Sequence, residues 1–369
     1  MSVRVESLPP ATDSESPDPA DAASWDRFVE SVDPSSYLQL SPWARVKAVN
    51  GWSAVRLTAE VSGAGTVGAQ ILVRRPRPLP WSFAYAPRGP AASGWTVDTI
   101  EAFTERVRTD LQRTAGRVSH LRIDPEIERD GPLDPDGALR RALRRAGWRA
   151  GQPIQPVSSR IIDLTADEQA LWGDLRKKWR QYVNKARKSG IRVVDADGDR
   201  LGAFYRIYRE TADRAGFLIR AESAYRDVWE AYRPSGRARL LFAETASGEP
   251  QAALFLVRSG TRVVEPYGGM TAAGADSRAN YLLKWEAIRS AREQGATVYD
   301  LWGLAHPGIA HFKTGFGGRD VQYVGAWDLV LDPLGRRTYD AAQRGRVWWV
   351  RRRHGLGGGE TASAYAGAD

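Results

Sequence analysis

The strongest constraint on the fold is an order of elements that occurs twice along the chain. Residues 100–111 carry apolar side chains at helical spacing, Gly116 closes that helix, and residues 118–123 predict a strand ending at Asp124. Residues 281–291 are again helical, Gly295 closes them, and residues 297–301 predict a strand containing Asp300. Both copies continue alike. Residues 139–146 predict a basic helix running into Gly147-Trp148 and a strand. Residues 310–313 precede Gly315-Phe316 and a strand over 321–327. An α/β unit present twice limits the chain to tandem architectures.

Helix, strand, helix, Gly-aromatic, strand is the closing order of the GNAT acyltransferase fold. The predicted class is therefore α/β (α+β), as two tandem GNAT-like domains. A chain of 369 residues also exceeds the size of one ordinary core. The boundary falls in the polar stretch 152–158, with Pro153 and Pro156, and residues 161–164 open the second half. Residues 1–21, acidic and rich in Pro and Ser, read as a disordered leader. They lack the basic and apolar regions of a signal peptide, and the expected compartment is the cytoplasm. No apolar run reaches the length of a membrane-spanning helix.

Cysteine is absent, which excludes disulfides, thiolate metal sites and cysteine nucleophiles. No Gly-x-Ser-x-Gly elbow, P-loop or His-Glu-x-x-His occurs, and His306 and His311 do not share a helix face. Neither a metal nor a cofactor is expected. The pyrophosphate-binding turn of acetyl-CoA enzymes is missing from residues 271–280, so the acyl donor is expected to be something other than acyl-CoA. An activated ester and an amine need little beyond orientation and an oxyanion donor. Lys313, set among aromatics and glycines in Phe312-Lys313-Thr314-Gly315-Phe316-Gly317, is the candidate donor. Alone, it would read as a cation favoured by the end of a helix.

The formal net charge is +9. Much of it sits at residues 175–189, where Arg176, Lys177, Lys178, Arg180, Lys185, Arg187 and Lys188 occur with no acid between Arg176 and Arg192. Leu175, Trp179, Tyr182, Val183 and Ala186 fall on the opposite helical face. A solvated surface usually mixes signs, so this stripe favours a phosphate-rich partner. A second basic cluster, 344–353 with Trp348 and Trp349, reads as a C-terminal helix packing its tryptophans into the core. Contact with nucleic acid or lipid headgroups is the alternative.

Together these residues resemble the Fem (FemABX) family, whose members build peptidoglycan interpeptide bridges from aminoacyl-tRNA. The opening stretch Leu38-Gln39-x-Ser41-Pro42-Trp43-Ala44-x-Val46-Lys47 is similar to the family's first motif. Tyr85-Ala86-Pro87-Arg88-Gly89-Pro90, Leu121-Arg122-Ile123-Asp124-Pro125 and the basic helix follow in order. So do Tyr267-Gly268-Gly269, Leu282-Leu283-Lys284-Trp285-Glu286-Ala287, Tyr299-Asp300-Leu301-Trp302-Gly303 and the Phe312 motif.

The resemblance implies a first domain over 22–154, completed by 324–353, a second over 155–323, and a flexible tail at 354–369. No long coiled-coil arm is expected, because the loop after Lys188 is too short. The implied donor is aminoacyl-tRNA, as a co-substrate. The implied acceptor is the side-chain amine of a stem peptide on a lipid-linked or UDP-linked muropeptide precursor, with peripheral contact at the inner membrane face. Lys47 and Arg220 match diphosphate-binding positions, and Tyr267 and Tyr225 match precursor-contacting tyrosines. Asp124 matches an acid of the acceptor cleft, and Phe312 and Lys313 match the pair at the tRNA end and reacting ester. Contact with tRNA then falls to the basic helix, at Lys177, Lys178, Arg180, Lys185 and Lys188. The same transfer onto a peptide natural product, a non-catalytic module binding a muropeptide or RNA, and an acyl-CoA acetyltransferase are the competing readings. The amino acid transferred, the number of residues added and the oligomeric state are not legible.

Overall fold

The computed structural model describes residues 19–304 and 307–354. Side chains of residues 346–354 fall outside the description, including Trp348 and Trp349 of the second basic cluster. The leader before residue 19 and the tail after 354 also lie outside the described residues. Two compact units divide the chain: residues up to Gln155 together with those from Tyr323 onward, and Pro156–Gln322.

The first unit opens with helix α1 (Pro19–Ser31), which begins within the expected leader, and α2 (Ser41–Ala48). Strands β1 (Ser53–Val61), β2 (Gly65–Arg74), β3 (Ser82–Ala86) and the short β4 (Ala91–Ala92) follow. Helix α3 (Val97–Ala115) then crosses over to β5 (Val118–Ile123), which lies parallel to β3. Thr96 caps α3 through a reciprocal bond with Thr99, and Gly116, at φ 71°, ends it. Ile100, Phe103, Val107 and Leu111 recur at helical spacing and are buried. Every residue of β5 is buried, as expected of a central strand covered on both faces. Helix α4 (Ala138–Arg145) and β6 (Arg149–Ala150) complete this half of the repeat.

The second unit starts with β7 (Ser158–Asp163), α5 (Glu168–Asp174) and the basic helix α6 (Lys177–Lys188). Strand β8 (Arg192–Ala196) leads to α7 (Leu201–Ala215) and α8 (Glu222–Tyr232). Next come β9 (Ala238–Glu244), β10 (Pro250–Ser259) and β11 (Arg262–Met270). A short α9 (Ala272–Ser277), α10 (Ala279–Glu293) and β12 (Val298–Asp300) follow, with β12 parallel to β11. The unit ends with α11 (Pro307–Thr314) and β13 (Arg319–Gln322). Among the described residues its longest helices, α7 and α10, have 15 residues each, and Ser189-Gly190 turns directly into β8. No long coiled-coil arm is present among them.

The sheets share one plan. The second is ordered β13-β7-β12-β11-β10-β9-β8. The first is ordered β1-β2-β3-β5, then β14 (Trp327–Val330), then β6. In each, an antiparallel strand separates the end of the parallel pair from the edge strand. That strand is β7 in the second sheet and β14 in the first. Strand β7 follows β6 in sequence yet enters the second sheet. Strand β14 follows β13 yet enters the first. The expected single strand over 321–327 is therefore wrong. It breaks after Gln322, where Tyr323 bridges to Glu128, Val324 N–H donates to the Ile127 carbonyl at 2.9 Å, and Gly325 adopts φ 85°. Helix α12 (Pro333–His354) follows in the first unit.

Candidate active site

The glycines of the Phe312–Gly318 segment are there for close packing and turning. Gly315 follows the last turn of α11, and a Cβ there would lie 2.3 Å from the Trp179 indole. Trp179, on α6, donates from Nε1 to the Phe312 carbonyl at 3.0 Å. Gly317 and Gly318 hold φ values of 84° and 72°, the region that favours glycine. Phe316 is buried and packs edge-on against Phe312 at 5.2 Å, which in turn meets Tyr281 at 5.0 Å.

This turn directs the Lys313 ammonium inward. Its Nζ donates to the carbonyl of Gly303 at 2.8 Å and to that of Trp302. Trp302 and Gly303 adopt φ values of 53° and 41°, a bend that aims both carbonyls at one point. Asp300 holds the bend. It accepts from the Trp302 N–H at 2.7 Å and from Arg262 at 2.5 Å, and it also bonds Ser159. Burial lowers the Lys313 pKa to about 8, helped by the charge of Lys284 and opposed by Glu265 and Asp300. Lys313 thus stays mostly cationic at neutral pH. An ammonium has three N–H donors, and two are accounted for by these carbonyls.

Arg220, Tyr225 and Tyr267 come together elsewhere in the second unit. The Tyr225 hydroxyl accepts from the Arg220 N–H at 3.2 Å, and its ring meets Tyr267 edge-on at 5.0 Å. Tyr208, absent from the sequence-level set, joins them at 5.6 Å from Tyr225 and 6.1 Å from Tyr267. Burial raises the pKa of both Tyr208 and Tyr225, so these phenols remain neutral donors.

Asp124 and Lys47 belong to the first unit. Asp124 is buried at the end of β5 and fully engaged. It accepts from the Tyr85 hydroxyl at 2.7 Å, the Arg88 N–H at 2.6 Å and the Gln155 N–H at 3.3 Å. Burial raises its pKa, with Arg88 and these hydrogen bonds opposing. Arg88 itself takes a left-handed φ of 55°, and its guanidinium pairs with Glu126 at 3.2 Å and lies over the Tyr323 ring at 4.6 Å. An acid so occupied is better placed to hold its loop than to collect a proton. Lys47 lies in the last turn of α2 with its ammonium 5.4 Å from the Trp43 ring.

The basic helix splits by role. Trp179, Val183 and Ala186 are buried, and Lys177, Lys178, Lys185 and Lys188 are exposed. Arg180 departs from the expected set. Its Nη1 donates to the carbonyls of Gly173 and Leu175 at 2.6 and 2.8 Å, closing the end of α5. Arg187 likewise pairs with Glu286 at 2.7 Å. A guanidinium reaches several carbonyls at once, and sequence cannot tell such a brace from a free charge.

Sequence reasoning also missed that Lys284 is buried. The available signal was a charge inside the apolar run Leu282-Leu283-Lys284-Trp285, where the helical pattern calls for a core residue.

A parallel strand pair joined by a crossover helix, built twice, defines a tandem GNAT-type protein, and the second copy carries an inward-facing lysine. The FemAB family model matches residues 21–249 and 242–344, and the chain belongs to this family. It is 23% identical to Lipid II:glycine glycyltransferase of Staphylococcus aureus (strain USA300), over 83% of this chain and 91% of that protein. The crystal structure of FemX shares the fold with a TM-score of 0.77 at 21% identity, covering 87% of this chain and 98% of that one. A conserved protein of unknown function from Bacteroides thetaiotaomicron shares it more loosely, with a TM-score of 0.53 at 10% identity, over 85% and 97% of the two chains.

Proposed function

We propose that the chain is an aminoacyltransferase of cell-wall bridge synthesis. It moves an amino acid from aminoacyl-tRNA to the side-chain amine of a peptidoglycan stem peptide. The observation that carries this reading is the Lys313 ammonium, held by two carbonyls with a donor to spare. In the reaction the amine attacks the ester carbonyl and a C–N bond forms. The ester C–O bond then breaks, and the amine's proton ends on the released ribose hydroxyl. Lys313 offers its remaining N–H to the oxyanion of the tetrahedral intermediate, and Phe312 packs beside it.

Family membership and the name of the Staphylococcus aureus relative support the wall precursor as acceptor. Within the second unit, Arg220 would bind its diphosphate, and Tyr225 and Tyr267 its neighbouring groups. The exposed lysines of α6 support a polyanionic donor. Aminoacyl-tRNA serves as co-substrate, without a further cofactor. A donor drawn from translation places the enzyme in the cytoplasm, touching the membrane face when the precursor is lipid-linked. The test is incubation with radiolabelled aminoacyl-tRNAs and UDP-linked or lipid-linked stem peptide. Label appearing in the peptide is the expected result. No transfer from any donor, where a relative is active, would overturn the reading.

A further inference from the structure

Lys284 is the most deeply buried lysine among the described residues, at 2% exposure. It sits on α10 between buried Leu283 and Trp285. Its ammonium pairs with Glu265 of β11, which is itself buried and also accepts from the Tyr299 hydroxyl of β12 at 2.9 Å. The same ammonium lies 5.4 Å from the Phe312 ring centroid and 5.8 Å from that of Phe316, the two rings that flank Lys313.

Stability does not account for this arrangement. Desolvating an ion pair commonly offsets its Coulombic gain, and apolar residues of similar volume do as well or better. The neighbours on α10 show that apolar residues suit this layer. What an apolar residue would not supply is a fixed positive charge at the base of the Phe312–Phe316 turn. There it attracts the ring faces through their quadrupoles and repels the second ammonium carried between them.

We propose that Lys284, held by Glu265, is a positioning residue for Lys313: it pins the Phe312 and Phe316 rings from beneath and presents a second positive charge to the Lys313 ammonium. Among the described residues, the charged groups that act on Lys313 are Lys284 of α10, Glu265 of β11 and Asp300 of β12, the last neutralised by Arg262, while the Tyr299 hydroxyl bonds Glu265. After burial, the larger cause, Lys284 is the charge among the described residues that lowers the Lys313 pKa. The proposal rests on Lys313 being the working group, but its test does not need turnover.

The experiment is competitive labelling of amines with acetic anhydride across pH, read at Lys313 by peptide mass spectrometry, on the full-length protein and Lys284→Met. The expected result is a labelling midpoint near 8 in the parent and a higher midpoint in the variant. Lys284→Arg, which keeps the charge, should stay near the parent. An unchanged midpoint in a cooperatively folding Lys284→Met would overturn the proposal. If that variant does not fold, Lys284→Met/Glu265→Gln removes both charges together. A smaller upward shift then supports the proposal, and none refutes it. Loss of transfer activity with no change in labelling would refute the role of Lys284 while leaving Lys313 in the mechanism.

Discussion

Lys313 and Gly303 are joined by a 2.8 Å hydrogen bond from ammonium to main-chain carbonyl, across a bend that Asp300 holds in place. The bond ties the end of α11 to the end of β12. It also decides where the ammonium sits, held against two main-chain carbonyls instead of extending into solvent.

Lys313 should act as a cation, and its pKa of about 8 gives the pH dependence. The group is protonated below that value and loses its charge as pH rises through it. Transfer should therefore decline above pH 8, well before an ordinary lysine near 10.5 would titrate. Lys313→Ala should lower kcat/KM by roughly 10²- to 10³-fold, or roughly 2.7–4 kcal/mol, as for losing one oxyanion donor. Steady-state kinetics over pH on both proteins checks both statements.

Gly315→Ala should disturb the same turn without touching the lysine. The added methyl would meet the Trp179 indole and displace it from the Phe312 carbonyl. Overpacking of this kind costs about 1–3 kcal/mol. Denaturant unfolding should show the loss, and tryptophan fluorescence should report a moved indole.

Reversing Lys177, Lys178, Lys185 and Lys188 to Glu should raise the KM for charged tRNA and flatten its salt dependence, with little change in stability. Arg180→Ala should behave differently. It strips donors from the end of α5 and should destabilise the fold by about 1–3 kcal/mol. Equal effects of the two changes on the salt slope would refute this division of the helix.

His120 should make the first unit sensitive to acid. It is fully buried between Phe83 and Tyr339, with ring centroids at 4.9 and 4.7 Å, and Nε2 finds no partner among the described residues. Burial lowers its pKa from 6.5 to about 3, with Arg336 and Arg122 adding to the effect and Asp328 opposing it. The unfolded chain takes up a proton below pH 6.5 that the folded chain refuses. Stability is therefore lost as pH falls from about 6.5 toward 3. At about 1.36 kcal/mol per unit, the loss between pH 6.5 and 5 is about 2 kcal/mol. Denaturant unfolding of the parent and His120→Gln at both pH values should show that increment in the parent alone.

Helices α3 and α10 and the strands that follow them, β5 and β12, were legible because their signals are local: apolar spacing in each helix, and Gly116 closing the first. Their parallel partners β3 and β11 were not. The candidate site was legible only as a set of residue types. Arg180 and Lys177 look alike in sequence, yet one braces α5 and the other faces solvent. Asp124 looks like a free acid until Tyr85, Arg88 and Gln155 are found to occupy its oxygens.

The order of amino acids by itself determined the repeated α/β plan, the basic stripe of α6 and the Phe312–Gly318 turn, since periodicity and glycine act over a few residues. Tertiary structure alone decided which sheet β7 and β14 enter, and that Lys284 and Glu265 meet beneath Phe312. Strand partners, and the partners of buried charges, are selected by residues far apart in the chain: the apolar run around Lys284 marks it for burial, but no local pattern names Glu265.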